Sequence, residues 1–306
     1  MQAEFNSLRA FNFAQATAHL WVFKKRTTNT KYVAYYVPTD PALTNILKGL
    51  VHAEMARITE YSPYSYLSQT NENSCLSTPQ QGTDFEFLKA QVDRPEPECH
   101  AQGIKDLKGA EGYLVKFSHN GETIYAVKRS TASWKTSYPK KIINIIFLNG
   151  ELSAAADNGF SIERNFDFFC KGVLVFIANK RGFEAAMKYR TAYAQAFTGL
   201  QQNPSFSALF TDLQPLISYV GNNSIQLRRM ATVEQKGLYG RPDFLEKLQR
   251  VSVMRNWNIN FDPVTTKIIA CDQTVRDILQ VLLDHRLMSE LTDNIYDVPD
   301  ARQISS

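Results

Sequence analysis

A chain of 306 residues, 44% of them hydrophobic, can bury one large core or two smaller ones. Its 34 basic and 30 acidic side chains leave a net charge of +4, too small an excess to mark a nucleic-acid binder by itself. The longest uninterrupted apolar run, residues 172–178, is far short of the roughly 20 residues of a membrane-spanning helix, which excludes that class. Cys75, Cys99, Cys170 and Cys271 show no C-x-x-C pairing, so no disulfide framework is read and a reducing compartment is expected. The first residues, Met1-Gln2-Ala3-Glu4-Phe5, do not begin a basic region followed by an apolar core, so a non-secreted, cytoplasmic protein is expected.

Residues 19–23 and 31–37, rich in β-branched and aromatic side chains, predict two strands about a polar turn. Asp40-Pro41 is a helix start, with Asp40 as cap and Pro41 at the first helical position. Leu43, Ile46, Leu47, Leu50, Val51 and Ile58 then give one apolar face, in a helix that should stop before Pro63. Residues 68–103 are poor in periodic signal and read as a long loop or boundary, dividing a 1–100 region from a 104–306 domain.

From Gly112 the pattern is β. Residues 113–117 and 123–128 flank His119-Asn120-Gly121-Glu122, and Asn-Gly between two such runs is a strong hairpin signal. Residues 141–148 lead to a second Asn-Gly at 149–150, and 159–164 reads as another short strand. Residues 172–178 read as a strand buried on both faces. Phe183, Met187, Tyr193 and Phe197 predict one helix over about 182–200, packed on this sheet. Beyond 205 the chain reads as mainly helical, with strands at 257–261 and 267–271 about Asp262-Pro263. Asp272 should cap a helix striped by Val275, Ile278, Leu279, Leu282, Leu283 and Leu287, and the acidic end from Glu290 should fray. The expected fold class is α+β, a mostly antiparallel sheet with hairpins, packed by helices and followed by a helical C-terminal region.

Catalytic motifs are not found. Neither a Walker loop nor a dinucleotide fingerprint is present, nor a G-x-S-x-G elbow, and the five histidines lack metal-site spacing. Cys99-His100 is an adjacent soft pair, which does not make a metal site. A metal-dependent nuclease would need carboxylates to converge; Asp167, Glu122 and Glu184 are the candidates, with turn or helix-cap roles the simpler reading for Asp167 and Glu184. No cofactor is expected.

Basic residues cluster more informatively. Lys128, Arg129, Lys135, Lys140 and Lys141 fall within 14 residues with no acid among them, interleaved with Trp134 and Tyr138. Such cations suit phosphates and exposed rings suit base stacking. A second cluster, Arg228, Arg229, Lys236, Arg241, Lys247, Arg250 and Arg255, meets only Glu234, Asp243 and Glu246. Lys180, Arg181, Lys188 and Arg190 form a smaller third. An ordinary solvated face is the alternative for any one of them.

Gly112-Tyr113-Leu114-Val115-Lys116-Phe117, Ile124-Tyr125-Ala126-Val127-Lys128-Arg129, Asn165-Phe166-Asp167, residues 172–179, Phe183-Glu184 and Tyr189 together resemble the KwaB family, the second subunit of the Kiwa anti-phage system. Gly237-Leu238-Tyr239, Phe244-Leu245-Glu246-Lys247-Leu248, Asn258-Ile259-Asn260-Phe261-Asp262 and Leu282-Leu283-Asp284 fit that family's tail. The resemblance spans roughly residues 105–300. It implies a cytosolic DNA-binding effector that works with a membrane subunit, KwaA, and restrains phage DNA replication and transcription. A homodimer recruited to the inner face of the membrane is implied as well. Three readings stand at this point: a non-specific DNA-binding module, a nuclease with an unrecognised carboxylate site, and an assembly protein whose basic faces meet an acidic partner.

Overall fold

The computed structural model describes residues 1–25, 32–79, 83–130, 145–148, 151–154, 163–289, 291–292 and 294–298. The chain forms two compact units, one of residues 1–64 and 69–187, the other of 65–68 and 188–306.

The first unit runs α1 (Gln2–Ala10), β1 (Thr17–Lys25), β2 (Tyr32–Val37), α2 (Pro41–Arg57), β3 (Glu60–Pro63), β4 (Ser74–Pro79) and α3 (Thr83–Val92). It continues with α4 (Ile104–Leu107), β5 (Gly112–His119), β6 (Glu122–Arg129), β7 (Ile145–Leu148), β8 (Glu151–Ala154), β9 (Phe168–Lys171), β10 (Leu174–Ile177) and α5 (Lys180–Ala186). Eight of these strands make one sheet in the order β2-β1-β5-β6-β9-β10-β4-β3, antiparallel except where β3 meets β4. The architecture is α+β, as expected.

Period-two alternation sorts the side chains onto the two faces. Leu20 and Val22 of β1 join Phe5, Leu8, Leu47 and Val51 of α1 and α2 in one buried cluster. Trp21 and Phe23, equally buried, point the other way. There Phe168 of β9 meets Phe85 of α3 and Phe183 of α5, with ring centroids 6.2 and 5.1 Å apart. With helices on both faces, all four residues of β10 are buried, which explains its unbroken apolar run. Asn120 and Gly121 have φ of +49° and +79°, the two positive values that a type I′ hairpin requires between β5 and β6.

Two local expectations fail here. Residues 68–103 are not a structureless stretch: they supply β4, which pairs with both β10 and β3, and α3, whose Gln91 side chain both accepts from the Ala34 backbone and donates to that of Tyr32. Polar content misled because Ser74 and Ser77 are buried inside the sheet. The helix over 182–200 is two helices. Lys188 adopts a left-handed φ of +53° between α5 and α6 (Tyr189–Gln202), and the chain passes from one unit to the other there. The spacing signalled this: Phe183 to Met187 and Tyr193 to Phe197 are four apart, but Met187 to Tyr193 is six, which breaks the stripe. Of the strand expected over 159–164, residues 159–162 lie outside the described residues, and 163–164 are not in a strand.

The second unit continues with α7 (Pro204–Ser207), β11 (Phe210–Asp212), α8 (Gln214–Val220), α9 (Ser224–Lys236), α10 (Phe244–Met254), β12 (Asn260–Phe261), β13 (Ile268–Ile269), α11 (Val275–Leu282), β14 (Arg286–Met288) and β15 (Ile295–Asp297). Tyr193, Phe197, Met230, Ile278 and Leu279 share its core. The expected hairpin about Asp262 forms as β12–β13, the Asp262 carboxylate accepting the backbone N–H of Val264 and Thr265 at 3.0 and 2.6 Å. Three details differ. Thr274, not Asp272, precedes the first turn of α11. Leu287 lies in β14 rather than on the helix stripe. Residues beyond 290 are not all frayed, because β15 pairs with β14.

Candidate nucleic-acid interface

The first basic cluster starts at the end of β6. Lys128 is 3% exposed, on a strand position that pairs with Tyr113 of β5. Its Nζ donates to Glu163 Oε2 at 2.6 Å and to Asp167 Oδ1 at 3.1 Å. Burial works against the Lys128 ammonium, but the hydrogen bond to Glu163 and the Asp167 charge outweigh it and hold its pKa above the ordinary lysine value. Asp167 is wholly buried, and its second oxygen accepts the Arg129 backbone N–H at 2.7 Å. Burial raises the Asp167 pKa, opposed first by that backbone donor and then by Lys128.

Asp167 therefore does more than fill a turn. Its backbone N–H bonds Val127 and its carbonyl accepts from Ala178 and Asn179, while Asn179 caps α5 through Gly182. One residue ties β6, β10 and α5 together. An Asp between Phe166 and Phe168 carries no local sequence signal for this, because the partners of its carboxylate, Arg129 and Lys128, are 38 and 39 residues away.

Glu163 closes a second join. Besides Lys128 it accepts from Ser130 Oγ at 3.3 Å, and its backbone carbonyl accepts from the Tyr113 hydroxyl at 2.9 Å. Residues 130 and 163, the two ends of the segment that carries β7 and β8, are thus joined through the Glu163 carboxylate. Lys135, Lys140 and Lys141, with Trp134 and Tyr138, belong to that segment and lie outside the described residues. Arg129 remains partly exposed, 4.0 Å from Glu111.

The second cluster divides by environment. Arg228 lies over the Tyr193 ring at 5.7 Å, and Arg229 donates to Gln226. Lys236 donates to the Leu283 carbonyl at 2.5 Å, which places a cation at the C-terminal end of α11. Lys247 pairs with Asp243 one turn earlier, whereas Glu246 makes no ion pair with Arg250 among the described residues. Arg241 and Arg250 are exposed, Arg255 is half-exposed, and none of the three has an ion pair among the described residues. In the third cluster Lys180 pairs with Glu184 at 3.7 Å, and the Tyr64 hydroxyl donates to the same carboxylate.

Asp167 and Glu163 do converge, as a nuclease site would require, but on a lysine, and both Asp167 oxygens are already occupied. Among the described residues no group of three or more His, Cys, Asp and Glu side chains gathers to hold a metal ion. His100 bonds its neighbour's carbonyl, and the four cysteines are free thiols. No helix among the described residues is long and apolar enough to cross a membrane.

A family model described as Kiwa protein KwaB-like matches residues 107–292. No curated protein and no solved structure matches the chain. The matched span runs from the end of α4 to the C-terminal hairpin and takes in Lys128, Glu163, Asp167 and all of the second basic cluster. It covers more than half of the 306 residues, and the chain belongs to the KwaB-like family of the Kiwa anti-phage defence system.

Proposed function

We propose that this protein is a defence effector that holds DNA through lysine and arginine contacts to phosphate. Such contacts position a protein on the duplex without reading its sequence. The observation that carries this reading is the run of basic residues without an acidic one in the first cluster. Lys128 is neutralised inside the fold by Asp167 and Glu163, while no acidic residue occurs anywhere from Thr123 to Gly150 to offset Lys135, Lys140 and Lys141. Arg241 and Arg250 on the other unit add exposed cations. In this proposal the protein acts as a homodimer at the inner face of the membrane with KwaA, and bound DNA is restrained from replication and transcription.

The test is a gel shift with unrelated duplexes across a salt series. Log affinity should fall linearly with log salt, by roughly 0.9 per phosphate neutralised, and random duplexes should compete equally. Salt-insensitive binding, or strong preference for one sequence, would remove the reading. The nuclease alternative predicts nicking in Mg²⁺ that EDTA stops; retention of uncut DNA in both conditions favours binding. Recruitment is tested by co-sedimentation with membranes, expected only when KwaA is co-expressed.

A further inference from the structure

The second unit has an apolar surface that its own core does not cover. Met254, at the end of α10, is 64% exposed, and across from it on the β14–β15 hairpin Leu287, Met288 and Ile295 are 39, 41 and 43% exposed. These side chains, with Val251 and Trp257, line a pocket of about 220 Å³. Val251 and Trp257 also line a second pocket of about 290 Å³, so the groove between Met254 and the hairpin adjoins it on α10. Contiguous exposed apolar surface of this kind marks an interaction site more often than isolated exposed residues do.

The hairpin flanking the groove is a two-stranded sheet without a third strand among the described residues. An isolated two-stranded hairpin is marginal in water. Its charges are partly provided for: Arg286 is bound to Asp277 and Asp297 and lies 5.5 Å from the Trp257 ring centroid. Arg255 is different. It lines the same pocket and has no ion pair among the described residues, and no acid lines that pocket.

We infer that this groove docks an amphipathic segment of a partner protein, with aliphatic or aromatic anchors seated between Met254 and the hairpin and a flanking carboxylate on Arg255. The concavity fits a chain segment better than a flat lipid surface. Between Met254 and the hairpin the lining is apolar apart from Arg286, already bound to two carboxylates, and Arg255, and a single unpaired cation is too little for a phosphate backbone. The inference goes beyond DNA binding and removes Arg255 from the phosphate-contacting set.

The experiment uses the full chain and two fluorescent 16-residue probes, one alternating Leu or Phe with Glu, the other identical with Lys for Glu. Anisotropy should show the acidic probe binding at least tenfold more tightly. Met254→Glu, at an exposed position, should abolish that binding with an unchanged melting curve, and Arg255→Glu should reverse the preference toward the Lys probe. Equal binding of the two probes, or no effect of Met254→Glu, overturns the inference. Three other outcomes also overturn it: a dimer that Met254→Glu converts to monomer without probe binding, tenfold loss of affinity for a 20-base-pair duplex in both variants, or vesicles with 30% phosphatidylglycerol bound in place of the probe. Failure here with salt-dependent duplex binding intact leaves the DNA reading standing.

Discussion

A β-carbon built on Gly182 would overlap the Asp167 carboxyl group, so the first turn of α5 and the buried carboxylate share a space that only glycine leaves open. Gly182 is the condition for Asp167 to reach both Lys128 and the Arg129 backbone. Gly182→Ala should destabilise the protein by roughly 1–3 kcal/mol, the usual cost of overpacking, despite the better helix propensity of alanine. Asp167→Ala, which leaves the buried Lys128 ammonium with Glu163 alone and the Arg129 backbone N–H without its acceptor, should cost more, about 3–5 kcal/mol. Urea titrations of the two variants check both; a stabilised Gly182→Ala would show that the carboxylate is not held there.

Lys128 and Lys135 belong to one sequence cluster but should respond oppositely to replacement. Lys128→Met removes a buried charge and leaves Asp167 uncompensated, so it should lower stability while the folded fraction keeps its DNA affinity. Replacing Lys135, Lys140 and Lys141 together with alanine should leave the melting curve unchanged. It should weaken DNA binding and reduce the salt slope by about 3, one per lysine. Circular dichroism and a binding titration separate the two effects.

Within the second cluster, Lys236 donates to the Leu283 carbonyl and Arg250 has no ion pair among the described residues. Lys236→Ala should therefore cost about 0.5–1.5 kcal/mol of stability, as expected for one hydrogen bond to a charged donor at a helix end. Arg250→Ala should have no measurable effect on stability. Replacing Arg241, Lys247 and Arg250 together is expected to cost less DNA affinity than the triple lysine change in the first unit. Should it cost more, α10 is the principal DNA face.

His285 is buried, and its Nε2 has no hydrogen-bond partner among the described residues. Burial pushes its pKa down to about 4, helped by Lys236 and Arg229 of α9 and opposed by Asp297 of β15. In the unfolded chain the imidazole takes up a proton near pH 6.5, in the folded one only near 4. The folded state therefore binds fewer protons, and stability present above pH 6.5 is lost as pH falls toward 4, by up to about 3 kcal/mol. Denaturant melts from pH 7.5 to 4 should show this slope, and His285→Gln should flatten it.

Asp40 illustrates what local chemistry makes legible. Its carboxylate accepts the Leu43 backbone N–H at 2.7 Å, with Pro41 at the first helical position, as the dipeptide alone predicts. Asn120-Gly121 is equally transparent, since few other pairs tolerate two positive φ values. The buried stripe Val275, Ile278, Leu279 and Leu282 follows from spacing. Each of these signals is complete within a few residues. The path of β4 and the role of Asp167 are not local, because a strand between β10 and β3 and a carboxylate bonded 38 residues away depend on pairings no short window contains.

The same division governs the functional surface. Sequence by itself determined where positive charge accumulates, which catalytic motifs are missing, and the pattern of packing residues that the KwaB-like family shares. It could not determine which of those charges face water. Lys128 and Arg129 are adjacent, yet one is sealed against Asp167 and Glu163 and the other is partly exposed, because alternate residues of a strand point to opposite faces. Tertiary packing alone made that choice: burying an ammonium requires carboxylates brought from distant parts of the chain, and a charge so paired is withdrawn from any phosphate outside.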